Sequence, residues 1–309
     1  MGGFLGRDIL SIADFSRADI EHILKVADDM VVDPHKASER SLAGRILATV
    51  FFEPSTRTRL SFESAMKRLG GDVVSFGGLE GSSVAKGETL SDTVRMVEAY
   101  ADAIVLRHPQ EGAARLAAEF SSKPVINGGD GAGQHPTQTL LDLYTIWDEL
   151  DTIDGRTVAF VGDLKYGRTV HSLALALCNF DVDLYCVAPP TLQLPGYILS
   201  QIKERGRDVK TANTLEELVK DVDVLYVTRI QKERFPDAAE YAKVAGSYRI
   251  DLDMLREAKK HMIIMHPLPR LGEIAPEVDR TPHAKYFKQA QNGVRVRMAL
   301  LSLIFGVIP

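Results

Sequence analysis

"FFEPSTRTRLSF" spans residues 51 to 62 and decides how the chain is read. The segment leading into it, "RILATVFF" (45–52), is apolar and β-branched, the composition of a buried strand. Beyond it, Phe62, Ala65, Met66 and Leu69 recur at helical spacing, and the run stops at Gly70-Gly71. "PSTRTR" therefore joins a strand to a helix. At a helix start the first N–H groups lack intrahelical partners and the dipole is positive. Ser55 is expected to cap this helix. Arg57 and Arg59 add formal charge where the backbone is already electropositive. That is unfavourable for a plain solvated helix start and favourable for an anion, above all a phosphate.

Outward from this junction the pattern repeats. Strand-like runs at 45–52, 102–107, 124–127, 156–161, 183–188, 223–228 and 262–265 alternate with amphipathic stretches such as 110–121, 168–179 and 214–220. Such alternation predicts parallel α/β sheets built of βαβ units. "HPTQTLLDLYTIWDELDTIDG" reads as one long helix followed by a polar break at 148–155. With several strands on each side, the expected architecture is two parallel-sheet α/β domains joined by helices. The expected ligand site is the cleft between them, where strand ends deliver their loops.

Composition narrows the function. The 309 residues carry a net charge of −5, which gives no bulk attraction to nucleic acid or anionic lipid. Two cysteines are too few for a disulfide framework and form no CxxC metal spacing, so a reducing cytoplasm is expected. The N-terminal "MGGFLGRDILSI" has no signal-peptide pattern. The apolar tail "MALLSLIFGVIP" is far shorter than the roughly 20 residues needed to span a bilayer.

Polar residues gather at the predicted strand ends. "DAIVLRHP" ends on Arg107 and His108. "VINGGDGAGQHPTQ" sets a glycine-rich loop before His135, Pro136 and Gln138. "VAFVGDLKYGRTVHSL" carries Arg168 at a strand-to-helix turn. "VLYVTRIQ" ends on Arg229 and Gln231, and "MIIMHPLPR" ends on His266-Pro267-Leu268-Pro269-Arg270. A strand-terminal arginine is ordinarily solvated, and a histidine before proline ordinarily caps a helix. Five such ends on the ligand-binding edge of α/β sheets point to anion handling, for which arginine forks suit phosphate and carboxylate. No HExxH, GxSxG, GxGxxG or metal-ligand cluster occurs, so catalysis by positioning and charge stabilisation is expected. "GDLKYGRT" (162–169) approaches the nucleotide-binding GxxxxGK[ST] pattern but has Arg168 in place of its lysine. By composition alone, "GLEGSSVAKGETL" reads as a solvated loop before a helix starting near Thr89 or Leu90.

Taken together, "FFEPSTRTRLSFESA", "KGETLSDT", "RHPQEGAARLAAE", "HPTQTLLDLYT", "GDLKYGRTVHSL", "TRIQKERF", "HPLPR" and "YFKQAQNGVRVRMALL" resemble the aspartate branch of the aspartate/ornithine carbamoyltransferase family. The resemblance runs in chain order from about residue 7 to the C-terminus. It implies a carbamoyl phosphate domain over 1–135, an interdomain helix over 136–150, an aspartate domain over 151–287, and a last helix over 288–309 that returns to the first domain. The implied reaction is transfer of the carbamoyl group from carbamoyl phosphate to L-aspartate, an early step of de novo pyrimidine biosynthesis, without cofactor or metal.

The implied roles are specific. Ser55, Thr56, Arg57 and Thr58 cradle the phosphate, Arg107 bridges phosphate and carbonyl oxygen, and His135 donates to that oxygen. Gln138 holds the carbamoyl amide with the Pro267 and Leu268 carbonyls, beside Pro269. Arg168, Arg229 and Gln231 hold the aspartate carboxylates. Ser82 and Lys86 come from the adjacent subunit of a homotrimer. Such trimers occur alone or with zinc-bearing regulatory chains. One departure is visible, since many relatives have Ser-Asn where this chain has Ala132-Gly133, which bears on the stiffness of the loop before His135. The ornithine branch carries a cysteine in an HCLP-type motif and an SMG loop, whereas this chain reads "HPLPR". A P-loop nucleotide-binding protein is the reading from a different class.

Overall fold

The computed structural model describes residues 3–30, 40–77, 86–212, 214–230 and 248–308. The chain forms two compact units. One comprises Met1–Leu141 with Gln291–Pro309, the other Asp142–Ala290.

The first unit holds a four-stranded parallel sheet in the order β2-β1-β3-β4. Its strands are β1 (Ile46–Phe51), β2 (Asp72–Gly77), β3 (Ala103–His108) and β4 (Val125–Asp130). The helices α1 (Arg17–Asp29), α2 (Thr56–Arg68), α3 (Leu90–Glu98) and α4 (Ala113–Phe120) lie between or before them. Ala48, Val50, Ile104, Leu106 and Val125 pack with Val94, Ala114 and Ala117 into one apolar core. In α2 the expected apolar stripe is buried, and the chain turns out of the helix at Gly70 with φ 83°. A side chain at Gly70 would place its Cβ 2.7 Å from that of Arg40. Backbone freedom and close approach both require glycine there.

Helix α5 (Pro136–Leu150) begins in the first unit and ends in the second. The second unit contains a five-stranded parallel sheet in the order β7-β6-β5-β8-β9. Its strands are β5 (Arg156–Val161), β6 (Val182–Val187), β7 (Val209–Thr211), β8 (Val224–Val227) and β9 (Ile263–Met265). Helices α6 (Arg168–Leu177), α7 (Gly196–Glu204) and α8 (Leu252–Leu255) belong to it. Ala159, Val161, Val187, Leu225, Val227 and Ile264 form the centre of its core. The final helix α9 (Tyr286–Ile304) starts here, and its residues from Gln291 onward belong to the first unit.

Two strands escaped the sequence pattern. β2 and β7 are edge strands, and most of their residues are exposed or half-buried, so neither shows a continuous apolar run. Residues 214–220 contain turns rather than the expected regular helix. Leu215, Leu218 and Val219 still bury themselves, with Val219 N–H donating to Leu215 O at 2.9 Å.

Candidate active site

In both sheets the strand order reverses direction around one strand, β1 in the first and β5 in the second. Ligands of open α/β sheets bind beyond the carboxyl ends of strands at such switch points. The segment "PSTRTR" lies at the end of β1 and "GDLKYGR" at the end of β5.

At the first of these, Ser55 occupies the N-cap position of α2 in extended conformation, but its side chain makes no capping hydrogen bond. The capping role expected of Ser55 is thus corrected: position and backbone fit, but the hydroxyl is not used on the helix. Thr56 and Arg57 are exposed and Thr58 is buried. The two arginines of the motif differ. Arg59 pairs with Glu63 one turn on at 3.6 Å, while Glu63 also accepts from Thr49 and Ser75 at 3.2 and 2.8 Å. Arg57 lies on the exposed side of the helix start.

Arg107 is the penultimate residue of β3 and is held by two partners. Its Nη1 donates to Gly128 O at 3.1 Å, and Nη2 lies 3.1 Å from the Glu53 carboxylate. Its buried Nε has no hydrogen-bond partner among the described residues. Burial lowers the Arg107 pKa from its ordinary value, the Glu53 charge opposes this, and the nearby Arg57 charge adds to the lowering. A desolvated guanidinium beside another cation gains most from an anion that touches both.

His135 is buried at the start of α5, where its carbonyl accepts from Gln138 and Thr139 N–H at 3.0 and 3.2 Å. Its ring Nε2 lies 3.4 Å from Thr58 Oγ1. Gln138 is half-buried on the first turn of the same helix. The loop before His135 is organised by Asp130. Its Oδ1 accepts from Gln134 N–H at 2.7 Å and Asn127 Nδ2 at 3.1 Å, and its Oδ2 accepts from Gly112 N–H at 2.8 Å. A Cβ at Gly133 would fall 2.9 Å from Asp130 Oδ1. The departure at Ala132-Gly133 therefore suits a tightly bonded loop.

In the second unit Arg168 is the first residue of α6 and half-buried, and Arg229 follows β8. Arg229 lines a cavity of about 170 Å³ together with Thr228, Tyr248 and Glu273. The turn after β9 is fixed by His266. Leu268 N–H donates to its Nδ1 at 2.8 Å, so the proton sits on Nε2, which donates to Glu273 at 2.8 Å. Leu268 has φ 57°, and the Leu268–Pro269 peptide is cis. Pro267 is half-buried and Pro269 exposed. Burial alone would raise the Glu273 pKa; the hydrogen bond from His266 Nε2–H, with backbone N–H donors, outweighs it and holds the carboxyl below its ordinary value.

"GDLKYGRT" does not form a phosphate loop. Asp163 Oδ1 accepts from Tyr166 N–H at 3.0 Å, and Thr228 Oγ1 donates to Val161 O at 3.1 Å. His171 Nε2 bonds Leu164 O at 2.8 Å. A P-loop cradles phosphate with its backbone N–H groups, and here Tyr166 N–H is spent on the loop's own carboxylate. Lys86 is exposed just before α3; Ser82 and Gln231 lie outside the described residues. Glu53, Asp130 and Asp163 were missed in the sequence as site-organising residues. Only Asp130 had a local signal, an acidic residue in a glycine-rich turn.

Residues 7–148 match the carbamoyl-phosphate-binding domain of the aspartate/ornithine carbamoyltransferases, and residues 154–304 match the aspartate/ornithine-binding domain. The chain belongs to the aspartate/ornithine carbamoyltransferase family. Among its relatives in this family is the aspartate carbamoyltransferase catalytic subunit of Thermococcus kodakarensis, 58% identical over 304 residues that cover 98% of each chain. The catalytic subunit of M. jannaschii aspartate transcarbamoylase is similar in structure, with 55% identity, a TM-score of 0.90, and coverage of 96% of this chain and 98% of that one. Aspartate transcarbamoylase from Trypanosoma cruzi, solved in complex with carbamoyl phosphate and aspartate, is 43% identical with a TM-score of 0.90 and 97% coverage of both chains.

Proposed function

We propose that this carbamoyltransferase carries the carbamoyl group from carbamoyl phosphate to the amine of L-aspartate, giving N-carbamoyl-L-aspartate and phosphate, an early step of pyrimidine biosynthesis. The observation that carries the reading is the grouping at the first switch point. A helix start with an unused cap hydroxyl, the Arg57–Arg107 pair, and a buried Thr58–His135 contact all belong to one unit. Ser55, Thr56, Arg57 and Thr58 take the phosphate. Arg107 reaches phosphate and carbonyl oxygen. Gln138 and the Pro267 and Leu268 carbonyls take the carbamoyl amide, with Pro269 shaping their turn. Arg168, Arg229 and Gln231 take the two carboxylates of aspartate, and two guanidinium groups suit a dicarboxylate better than the second amine of ornithine. The relatives' names support the same choice, since those at 55–59% identity are aspartate carbamoyltransferases.

The aspartate nitrogen attacks the carbonyl carbon, and charge gathers on the carbonyl oxygen. Thr58, Arg107 and His135 stabilise that charge as an oxyanion hole does. The C–O bond to phosphate then breaks, and the departing phosphate accepts the proton lost by the amine. No cofactor or metal is assigned a role.

The active assembly is a homotrimer in which Ser82 and Lys86 complete the neighbour's site, either alone or with a zinc-bearing regulatory chain. The exposed edge strand β2 supports assembly, because parallel sheets are normally covered. A cytoplasmic location is supported by two buried free cysteines. Among the described residues no helix is long and apolar enough to cross a membrane. The deciding experiment is a carbamoylation assay with aspartate and ornithine side by side. Product with aspartate alone is expected; product with ornithine alone, or with neither, would overturn the reading.

A further inference from the structure

Helices α2, α5 and α9 meet around one buried cation within the first unit. Arg297 of α9 is 3% exposed. Its Nη1 donates to Ser61 Oγ of α2 at 3.0 Å and to Gly293 O at 3.1 Å. Its Nη2 donates to Thr137 Oγ1 of α5 at 3.2 Å, and the guanidinium lies 4.8 Å from the Phe62 ring centroid. Ser61 sits one turn beyond Thr58 on α2, and Thr137 sits just past His135 on α5. The Arg297 contacts and the Thr58–His135 contact therefore span the same two helix starts, one behind the other.

Sequence and energetics indicate that this is more than packing. Burying a cation is costly, and an apolar side chain of similar volume commonly stabilises a core as well or better. The chain also places a glycine inside α9, which costs about 0.5–1 kcal/mol relative to alanine. A Cβ at Gly293 would lie 2.4 Å from Arg297 Nη1, so the guanidinium uses the space that the glycine leaves. An arginine fork can bridge two hydroxyls in fixed geometry, which a lysine ammonium on its flexible stem does not reproduce.

We propose that Arg297 is a positioning residue that fixes the start of α5 against the start of α2 and thereby holds the His135 imidazole at Thr58. The proposal rests on the reading in which His135 donates to the carbonyl oxygen. Ser55, Thr56, Arg57 and Thr58 lie at the start of α2 and Arg107 lies on β3, so loss of the clamp to α5 misaligns His135 while leaving the phosphate contacts in place.

The test compares wild type, Arg297→Gln, Thr137→Val and the double variant. It measures kcat per folded protein, calorimetric affinity for inorganic phosphate, and thermal midpoint. Misplacing one group by about an ångström can cost up to about a hundredfold. Arg297→Gln is expected to lose about ten- to a hundredfold in kcat while phosphate affinity changes by less than about threefold. Thr137→Val cuts one arm and gives a smaller loss in the same direction. It adds nothing on the Arg297→Gln background, because the two residues act through one contact. Unchanged kcat in both single variants, or kcat and phosphate affinity falling in parallel, would overturn the proposal. Should Arg297→Gln fail to fold, Thr137→Val decides alone by the same two readings. A wild type that fails to carbamoylate aspartate overturns the function proposed above. An active wild type with unaffected variants overturns only the clamp.

Discussion

The starts of α2 and α6 occupy equivalent places in their sheets, each following the strand about which the strand order reverses. They are built in opposite ways. At α2 the N-cap hydroxyl of Ser55 is unused by the helix, and Arg57 and Arg107 lie close enough to affect one another. At α6 the preceding loop is closed on itself by Asp163, Thr228 and His171, and only Arg168 heads the helix. The contrast separates two ways of holding an anion. Backbone amides and several donors suit the compact charge of phosphate. A rigid loop that aims one guanidinium suits a carboxylate. On this account the first unit handles carbamoyl phosphate and the second handles aspartate.

The largest effect that tests this division belongs to Arg107. In Arg107→Ala, kcat is expected to fall by about two to three orders of magnitude, the usual cost of removing one oxyanion donor, with carbamoyl phosphate binding weakened as well. On the proposed reading, Arg229→Ala removes a charge-assisted contact to aspartate present in ground and transition state alike. It should raise the aspartate KM by about tenfold or more and leave carbamoyl phosphate saturation unchanged. Saturation curves for both substrates read this out, and equal effects on carbamoyl phosphate would break the comparison.

A smaller effect is expected from the loop that supports Arg168. Asp163 is fully buried, and Asp163→Ala leaves Tyr166 N–H without its acceptor. A stability loss of about 1–3 kcal/mol in chemical denaturation should accompany a raised aspartate KM. Unchanged stability would show that the loop is not closed as described.

The smallest effect is the most pointed. Replacing an N-cap serine by alanine ordinarily costs about 1 kcal/mol. Because Ser55 makes no capping bond, Ser55→Ala should change the unfolding free energy from chemical denaturation by only a few tenths of a kcal/mol. It should nonetheless weaken phosphate binding. A full capping penalty would return Ser55 to an ordinary structural role.

Much of this was legible in the sequence because central strands are buried on both faces and read as continuous apolar runs. That property located β1, β3, β5 and β8. The same rule hid β2, whose residues are largely exposed, and β7, which has three. The candidate site residues were legible from strand-end arginines and histidines. Their supports were not. Glu53 and Asp163 touch their partners only once the chain has folded, and an isolated acidic residue near a strand end has many uses. His266 stood out as a strand-end histidine, but its pairing with Glu273 depends on the path of the turn between them. Arg297 gave no signal, since an arginine in an amphipathic last helix ordinarily faces water.

Calorimetric titration of inorganic phosphate into Arg57→Ala and Arg168→Ala proteins tests the division of labour most directly. The two variants remove the same side chain from equivalent helix starts in the two units. The account predicts that Arg57→Ala loses phosphate affinity by about tenfold or more, the worth of a charge-assisted hydrogen bond, while Arg168→Ala binds phosphate within about twofold of wild type. Equal losses in both, or a loss confined to Arg168→Ala, would contradict it.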